Sequence, residues 1–161
     1  MPFRLRIPRK LCDQIVAQAF AELPNECCGL LGGRILPSER PETDVRVGEV
    51  LCCYPLVNAA ASPVEYLSDA HGMFAAMRDM RRREIDVLAV YHSHPTSAPR
   101  PSRTDLERNY SEEVVNLIIS LQSREPEMRG WWLTANEFRE AEWECIEREP
   151  TAEIAESAEK E

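Results

Sequence analysis

Residues 85–95 read Ile85-Asp86-Val87-Leu88-Ala89-Val90-Tyr91-His92-Ser93-His94-Pro95. The run 85–91 is almost wholly apolar, the pattern of a strand covered on both faces rather than one alternating between core and water. Helical and strand-like patterns alternate on either side of it. The expected fold is therefore α/β, a sheet flanked by helices. Two of the chain's three histidines follow the run directly.

Upstream, residues 8–23 read as a helix. Leu11, Ile15, Ala19 and Leu23 recur every four residues, Val16 and Phe20 widen the stripe, and Pro8 and Pro24 bracket it. Residues 28–33 read as a short buried strand turning at Gly32-Gly33, and 35–42 as a surface loop. Residues 45–57 alternate in polarity and read as one long strand or two broken near Gly48-Glu49. Ser68 or Asp69 can cap a second helix running to about Arg83, with Phe74, Met77 and Met80 facing inward. Downstream, Ser102 opens a short helix to about Tyr110, and 114–121 is another apolar strand. Residues 129–134 and 138–147 read as a hairpin around Ala135-Asn136-Glu137. From Arg148 the chain turns acidic, with Glu149, Glu153, Glu156, Glu159 and Glu161. We read residues 1–147 as one domain and 148–161 as an acidic tail without fixed structure.

The whole chain has 161 residues, which suits one domain. Its formal net charge of −9 offers no basic footprint for nucleic acid. No apolar run approaches the ~18 residues of a membrane span, and the start lacks the apolar core of a secretory signal. A cytoplasmic protein is the expectation. The six cysteines, Cys12, Cys27, Cys28, Cys52, Cys53 and Cys145, include two adjacent pairs and no C-x-x-C. We read them as reduced thiols, several of them small core hydrophobes. His71 reads as an ordinary surface or cap-adjacent residue. The basic cluster Arg78, Arg81, Arg82 and Arg83 suits a helix C-terminus, docking of an acidic carrier being the alternative. Trp131, Trp132 and Trp143 read as packing for the C-terminal hairpin, a place for one of them at an interface being the alternative.

Side chains two apart on an extended segment point the same way, so His92 and His94 can face one metal ion. Asp105 would make a set of two histidines and a carboxylate, with a fourth position left for water, the usual make-up of a catalytic zinc site and one that also suits iron in an open site. The loop between them contains Pro95, Pro99 and Pro101, which limit its freedom and can hold the carboxylate near the strand. Ser102 and Asp105 also fit a capping box, in which Asp105 simply caps a helix. The two readings are compatible, since a capped first turn fixes a carboxylate's direction. Glu26, in Pro24-Asn25-Glu26-Cys27-Cys28-Gly29, sits at a helix-to-strand junction and is a candidate proton acceptor. Composition alone does not separate it from other acidic residues. Cys27 and Cys28 beside it raise a thiol-nucleophile alternative, which lacks an assigned base.

Taken together, Glu26, Cys28-Gly29, His92-x-His94-Pro95, Ser102 and Asp105 resemble the JAMM (MPN-plus) metalloprotease family, with every element at the family's spacing. Asn58 and Ser62-Pro63 are similar to the family's loop before its second helix. The resemblance spans about residues 7–147 and is with the stand-alone prokaryotic branch. It implies a curved mixed sheet flanked by helices, of cytidine-deaminase-like architecture. It further implies zinc held by His92, His94, Asp105 and a water. Glu26 would move the proton, and Ser102 would support the developing oxyanion or orient the water. Ser93, between the ligands, would point away from them.

The implied activity is hydrolysis of a peptide or isopeptide bond at the C-terminal glycine of a ubiquitin-like (β-grasp) or sulfur-carrier protein adduct. The alternatives are a non-catalytic interaction module of the same fold and a phage-tail or cell-wall peptidase of the same family. A nucleobase deaminase is disfavoured because His-x-Glu and Pro-Cys-x-x-Cys are missing. A DNA-repair relative is disfavoured because only 25 residues precede Glu26. Oligomeric state is left open, a homodimer included.

Overall fold

A computed structural model describes residues 2–38, 42 and 45–147. The acidic tail read from Arg148 onward lies outside the described residues, as does part of the loop over 35–42. The elements in chain order are β1 (Phe3–Pro8), α1 (Arg9–Ala21), β2 (Cys28–Leu36), β3 (Arg46–Leu56), α2 (Ala70–Arg82) and β4 (Asp86–His94). There follow α3 (Arg103–Glu107), β5 (Val115–Ser120), β6 (Glu127–Leu133), β7 (Phe138–Ala141) and β8 (Trp143–Ile146).

The eight strands form one mixed sheet in the order β7-β6-β5-β4-β2-β3-β1-β8. β1 runs parallel to β3 and β8, and β4 parallel to β5, while the other neighbours are antiparallel. The two strands at the ends of this order are consecutive in the chain. Only Glu142 separates them, and its carbonyl accepts a hydrogen bond from the Leu5 N–H at 3.1 Å. A single residue can join both ends of the order only if the sheet curls until they meet. Phe3 of β1 accordingly lies edge-to-face on Trp132 of β6, with ring centroids 5.2 Å apart.

β4 sits inside the sheet between β2 and β5, which explains its apolar sequence. Alternate residues of β2 and β4 serve opposite helices. Leu31, Ala89 and Tyr91 pack in the core that includes Cys12, Ile15 and Ala19 of α1. Leu30 and Val90 pack in a second core with Ala76 and Met80 of α2. Leu31, Leu88 and Leu117 are fully buried, each worth roughly 1.5–3 kcal/mol relative to exposure. Asp69 caps α2, its carboxylate accepting the Gly72 N–H at 2.9 Å. A small third cluster joins Ile118, Trp131 and Leu133 to Leu106 of α3. Among the described residues, no helix is long and apolar enough to cross a membrane.

Several local expectations change. Phe3, Leu5 and Ile7 alternate with Arg4 and Arg6 and form β1, a strand that precedes the first helix. Gly32-Gly33 is not a turn. β2 runs through it to Leu36, and Leu51 and Leu88 are the extra residues of bulges on its two neighbours. A Cβ at position 33 would overlap the Glu49 carbonyl, so the bend is possible only with glycine there. Residues 46–56 form one strand, without a break at Gly48-Glu49. The second arm of the C-terminal hairpin splits at Glu142, because β8 leaves β7 to pair with β1. Phe74 is 70% exposed rather than inward, and Ala76 takes the buried place beside Met80. α3 ends at Glu107, short of Tyr110.

Candidate metal centre

The C-terminal end of β4 delivers His92 and His94 to one side of the strand, both buried. α3 brings Asp105 to them. The Nε2 atoms of the two histidines are 3.1 Å apart, and Asp105 Oδ2 lies 3.2 Å from the first and 3.3 Å from the second. The triangle is nearly equilateral. Ligands of a tetrahedral zinc with bonds of about 2.0–2.1 Å stand about 3.3 Å from one another. The residues present therefore fit a single divalent ion with a fourth position open, and they are the described residues' candidate set for one.

Each ligand has its own support. Asp105 is oriented by the capping box: its backbone N–H donates to Ser102 Oγ at 3.1 Å, and the Ser102 N–H donates to Asp105 Oδ2 at 2.8 Å. Oδ2 is also the oxygen facing the histidines, so the cap and the ligand cluster share one atom. His94 Nδ1 lies 2.8 Å from the Ala98 carbonyl. In the neutral ring this bond fixes the proton on Nδ1 and leaves the Nε2 lone pair facing the cluster. The loop carrying Ala98 is held in turn by the Trp131 indole, which donates to the Pro99 carbonyl at 2.9 Å. That bond gives Trp131 a role beyond packing the hairpin. His92 Nδ1, by contrast, is buried without a hydrogen-bond partner.

The electrostatics favour a cation at the centre. Burial alone would raise the Asp105 carboxyl, but the charge and hydrogen bonds of His92, the hydrogen bond of His94 and the Ser102 N–H outweigh it. The group is held well below the usual carboxylate range. Burial lowers His94, while Asp105, the Ala98 carbonyl and Glu26 raise it and prevail. A negative pocket of this kind draws either protons or a metal ion.

Glu26 lies in the segment between α1 and β2 and is only 4% exposed. Its backbone is held from two directions. The Glu26 N–H donates to the Ser62 carbonyl at 2.9 Å, and its own carbonyl accepts from Asn58 Nδ2 at 3.0 Å. The Cys27 N–H donates to Ser93 Oγ at 2.8 Å, and the Ser93 N–H donates back to the Cys27 carbonyl at 3.1 Å. Ser93 thus points away from the histidines, as its place between them implies, and ties the Glu26 segment to their strand. The carboxyl keeps a buried oxygen, Oε1, without a partner. Burial pushes its pKa up to about 8; His94 lowers it, while Asp105 and Glu65 raise it.

The structure thus gathers His92, His94 and Asp105, with Ser102 on the capped turn and Glu26 close enough to feel the charges of His94 and Asp105. His71 is exposed in the first turn of α2. Arg82 and Arg83 pair with Asp79 at 2.7 and 2.9 Å, in the last turns of the same helix. Cys27 and Cys28 are fully buried, and burial pushes their thiols up to about 12 and about 11. Both stay protonated near neutrality, which removes the thiol-nucleophile alternative. Tyr66, which no spacing in the sequence singles out, stacks on the His92 ring with centroids 4.6 Å apart and planes at 25°.

A curled mixed sheet with a helix on each face, two histidines at the end of an inner strand and a carboxylate on a capped turn makes an α/β domain with a candidate metal site. The chain belongs to the Prok-JAB family, prokaryotic homologs of the JAB domain, whose family model matches residues 8–134. This is the grouping the JAMM resemblance pointed to. The chain is 33% identical over 142 residues to a protein named desampylase from Haloferax volcanii, covering 85% of this chain and 93% of that protein. It is 30% identical over 122 residues to a CysO-cysteine peptidase of Mycobacterium tuberculosis, covering 76% of this chain and 75% of the relative. The solution structure of a protein from Desulfitobacterium hafniense superposes with a TM-score of 0.77 at 31% identity, covering 90% of this chain and 94% of that one.

Proposed function

We propose that the protein is a metal-dependent peptidase that hydrolyses the bond at the C-terminal glycine of a small ubiquitin-like or sulfur-carrier protein adduct. The observation that carries the reading is the triangle of His92 Nε2, His94 Nε2 and Asp105 Oδ2, with the unpartnered Oε1 of Glu26 buried nearby. The names of the Haloferax and mycobacterial relatives support a peptidase, and the second of them supports a carrier-protein adduct as substrate.

His92, His94 and Asp105 would hold the ion, which we assign as zinc. When bound it would supply Lewis acidity and acidify a water at the open position. Glu26 accepts a proton from the attacking water and returns it to the leaving amine. Burial raises this carboxyl and a bound cation nearby would lower it again, so the carboxylate is available to accept the proton and the acid to return it. Ser102 accepts the Asp105 N–H with its oxygen, which leaves its hydroxyl proton to donate to the developing oxyanion. Ser93 and Asn58 keep the Glu26 segment in register with the ligand strand.

The test is hydrolysis of fusions in which a β-grasp carrier ends in glycine joined to a short peptide or to cysteine. The reading requires cleavage that a chelator abolishes and added zinc restores. It also requires Glu26→Gln to lose the activity while keeping the metal. Cleavage unaffected by chelation, or full activity in Glu26→Gln, overturns it. The trapped Glu26→Gln protein, exposed to a panel of carriers, identifies which one it retains.

A further inference from the structure

The two candidate ligand imidazoles are oriented by different means. His94 has the Ala98 carbonyl on Nδ1, the common device for fixing a metal-binding histidine. His92 Nδ1 is buried with no such partner, so no hydrogen bond there sets the rotation of its ring. The ring lies instead against Tyr66, face to face within 25° and with centroids 4.6 Å apart.

Tyr66 is itself held with unusual care for a residue in a connecting loop. The buried side chain of Asn58 grips the chain on both sides of it. Asn58 Nδ2 donates to the Glu65 carbonyl at 3.1 Å, and the Leu67 N–H donates to Asn58 Oδ1 at 2.9 Å. The Ala59 N–H donates to the Leu67 carbonyl at 2.7 Å and closes the loop. The same Asn58 amide also donates to the Glu26 carbonyl. One buried side chain thus fixes the segment of the proposed proton carrier and the ring that faces His92.

We propose that Tyr66 is a positioning residue, whose stacked ring replaces the missing hydrogen bond on His92 and holds the imidazole with Nε2 aimed at the centre of the ligand triangle. The inference rests on the metal-site reading above. It predicts that the planar face of residue 66 matters and that the hydroxyl does not. A stack restricts tilt of the imidazole plane, whereas a merely space-filling neighbour of similar volume leaves it free to rock.

The test compares Tyr66→Phe, which keeps the face, with Tyr66→Leu, which removes it, in the full chain. Zinc affinity is read by competition with a chromophoric chelator, and ligand geometry by the visible spectrum of the cobalt-substituted protein. Tyr66→Phe is expected to stay within about twofold of wild type, and Tyr66→Leu to lose about 10–100-fold with an altered cobalt spectrum. Wild-type zinc affinity and an unchanged cobalt spectrum in Tyr66→Leu overturn the proposal, as does an equal loss in Tyr66→Phe. A wild-type protein that binds no divalent ion overturns the site reading itself, a distinguishable result. NMR of the metal-free wild type gives a measurement that survives misfolding of a variant. His92 ring protons should show Overhauser contacts and upfield ring-current shifts from Tyr66, and their absence also overturns the proposal.

Discussion

Ser93 Oγ accepts the Cys27 N–H at 2.8 Å, and this bond, with the return bond from the Ser93 N–H to the Cys27 carbonyl, joins the strand that carries both histidines to the residue following Glu26. Because alternate residues of an extended strand face opposite ways, the serine between two ligands is the residue best placed to reach behind them. Ser93→Ala leaves a buried N–H without its acceptor, at a cost of about 1–3 kcal/mol. Urea unfolding should show that loss. Peptidase activity should fall with it while zinc stoichiometry stays at one, since the histidines remain. Unchanged stability would mean the bond is replaced by another acceptor.

The Glu26 carboxyl makes stability depend on pH in a defined direction. Its pKa is about 8 folded against an ordinary 4.5, so the folded state binds the proton more tightly. The stability this contributes is fully present below about pH 4.5 and is lost as pH rises through 8. In the metal-free protein, Glu26→Gln should therefore unfold at a higher temperature than wild type at pH 8, with the gap closing toward pH 5. Thermal unfolding of the two proteins across that range checks the sign. A variant less stable than wild type at pH 8 would contradict the assigned burial.

Metal binding should appear as stabilisation by mass action. Free zinc at one hundred times its dissociation constant adds about 2.7 kcal/mol to a folded state that alone binds it. The melting temperature should rise with zinc in wild type, fall back with chelator, and respond weakly or not at all in His94→Ala and Asp105→Asn. Elemental analysis of the purified full chain should give one zinc per wild-type chain.

Gly29 and Gly72 offer a paired test of packing. A Cβ at position 29 would fall within the Tyr91 ring, whose hydroxyl donates to Gln18 Oε1. Gly29→Ala should cost about 1–3 kcal/mol or more by displacing that ring. At position 72, in the first turn of α2, the Cβ would meet the flexible end of Leu56 at 3.3 Å, which must give slightly, and Asp69 Oδ2 at 3.6 Å. There the helical preference for alanine, up to about 1 kcal/mol, should leave Gly72→Ala neutral or better. Chemical denaturation of both variants decides it.

Much of this was legible beforehand because the deciding signals are local. The apolar run ending in His92-Ser93-His94 encodes both a central strand and the common direction of two imidazoles. Ser102-x-x-Asp105 encodes a capped turn, and the capping reading and the ligand reading meet in one oxygen, Oδ2. Misreadings arose where local pattern competed with pairing partners. Gly32-Gly33 looks like a turn, yet two neighbouring strands absorb the bend as bulges. Phe74 fits an inward stripe by spacing, yet the sheet surface beneath α2 is filled by Ala76 and Met80.

The sequence by itself determined the class of fold and the ligand set to be tested, since periodicity and capping act over a few residues, and the family through a resemblance carried by motif residues from Glu26 to Asp105. Only the tertiary structure decided that the sheet curls until Glu142 joins its two ends, that Ser93 and Asn58 fasten Glu26 beside the histidines, and that Tyr66 lies on His92. These contacts join residues such as Cys27 and Ser93, which are 66 positions apart. Their energy comes from burying polar groups against specific partners, and that depends on where the folded chain returns rather than on which residues adjoin.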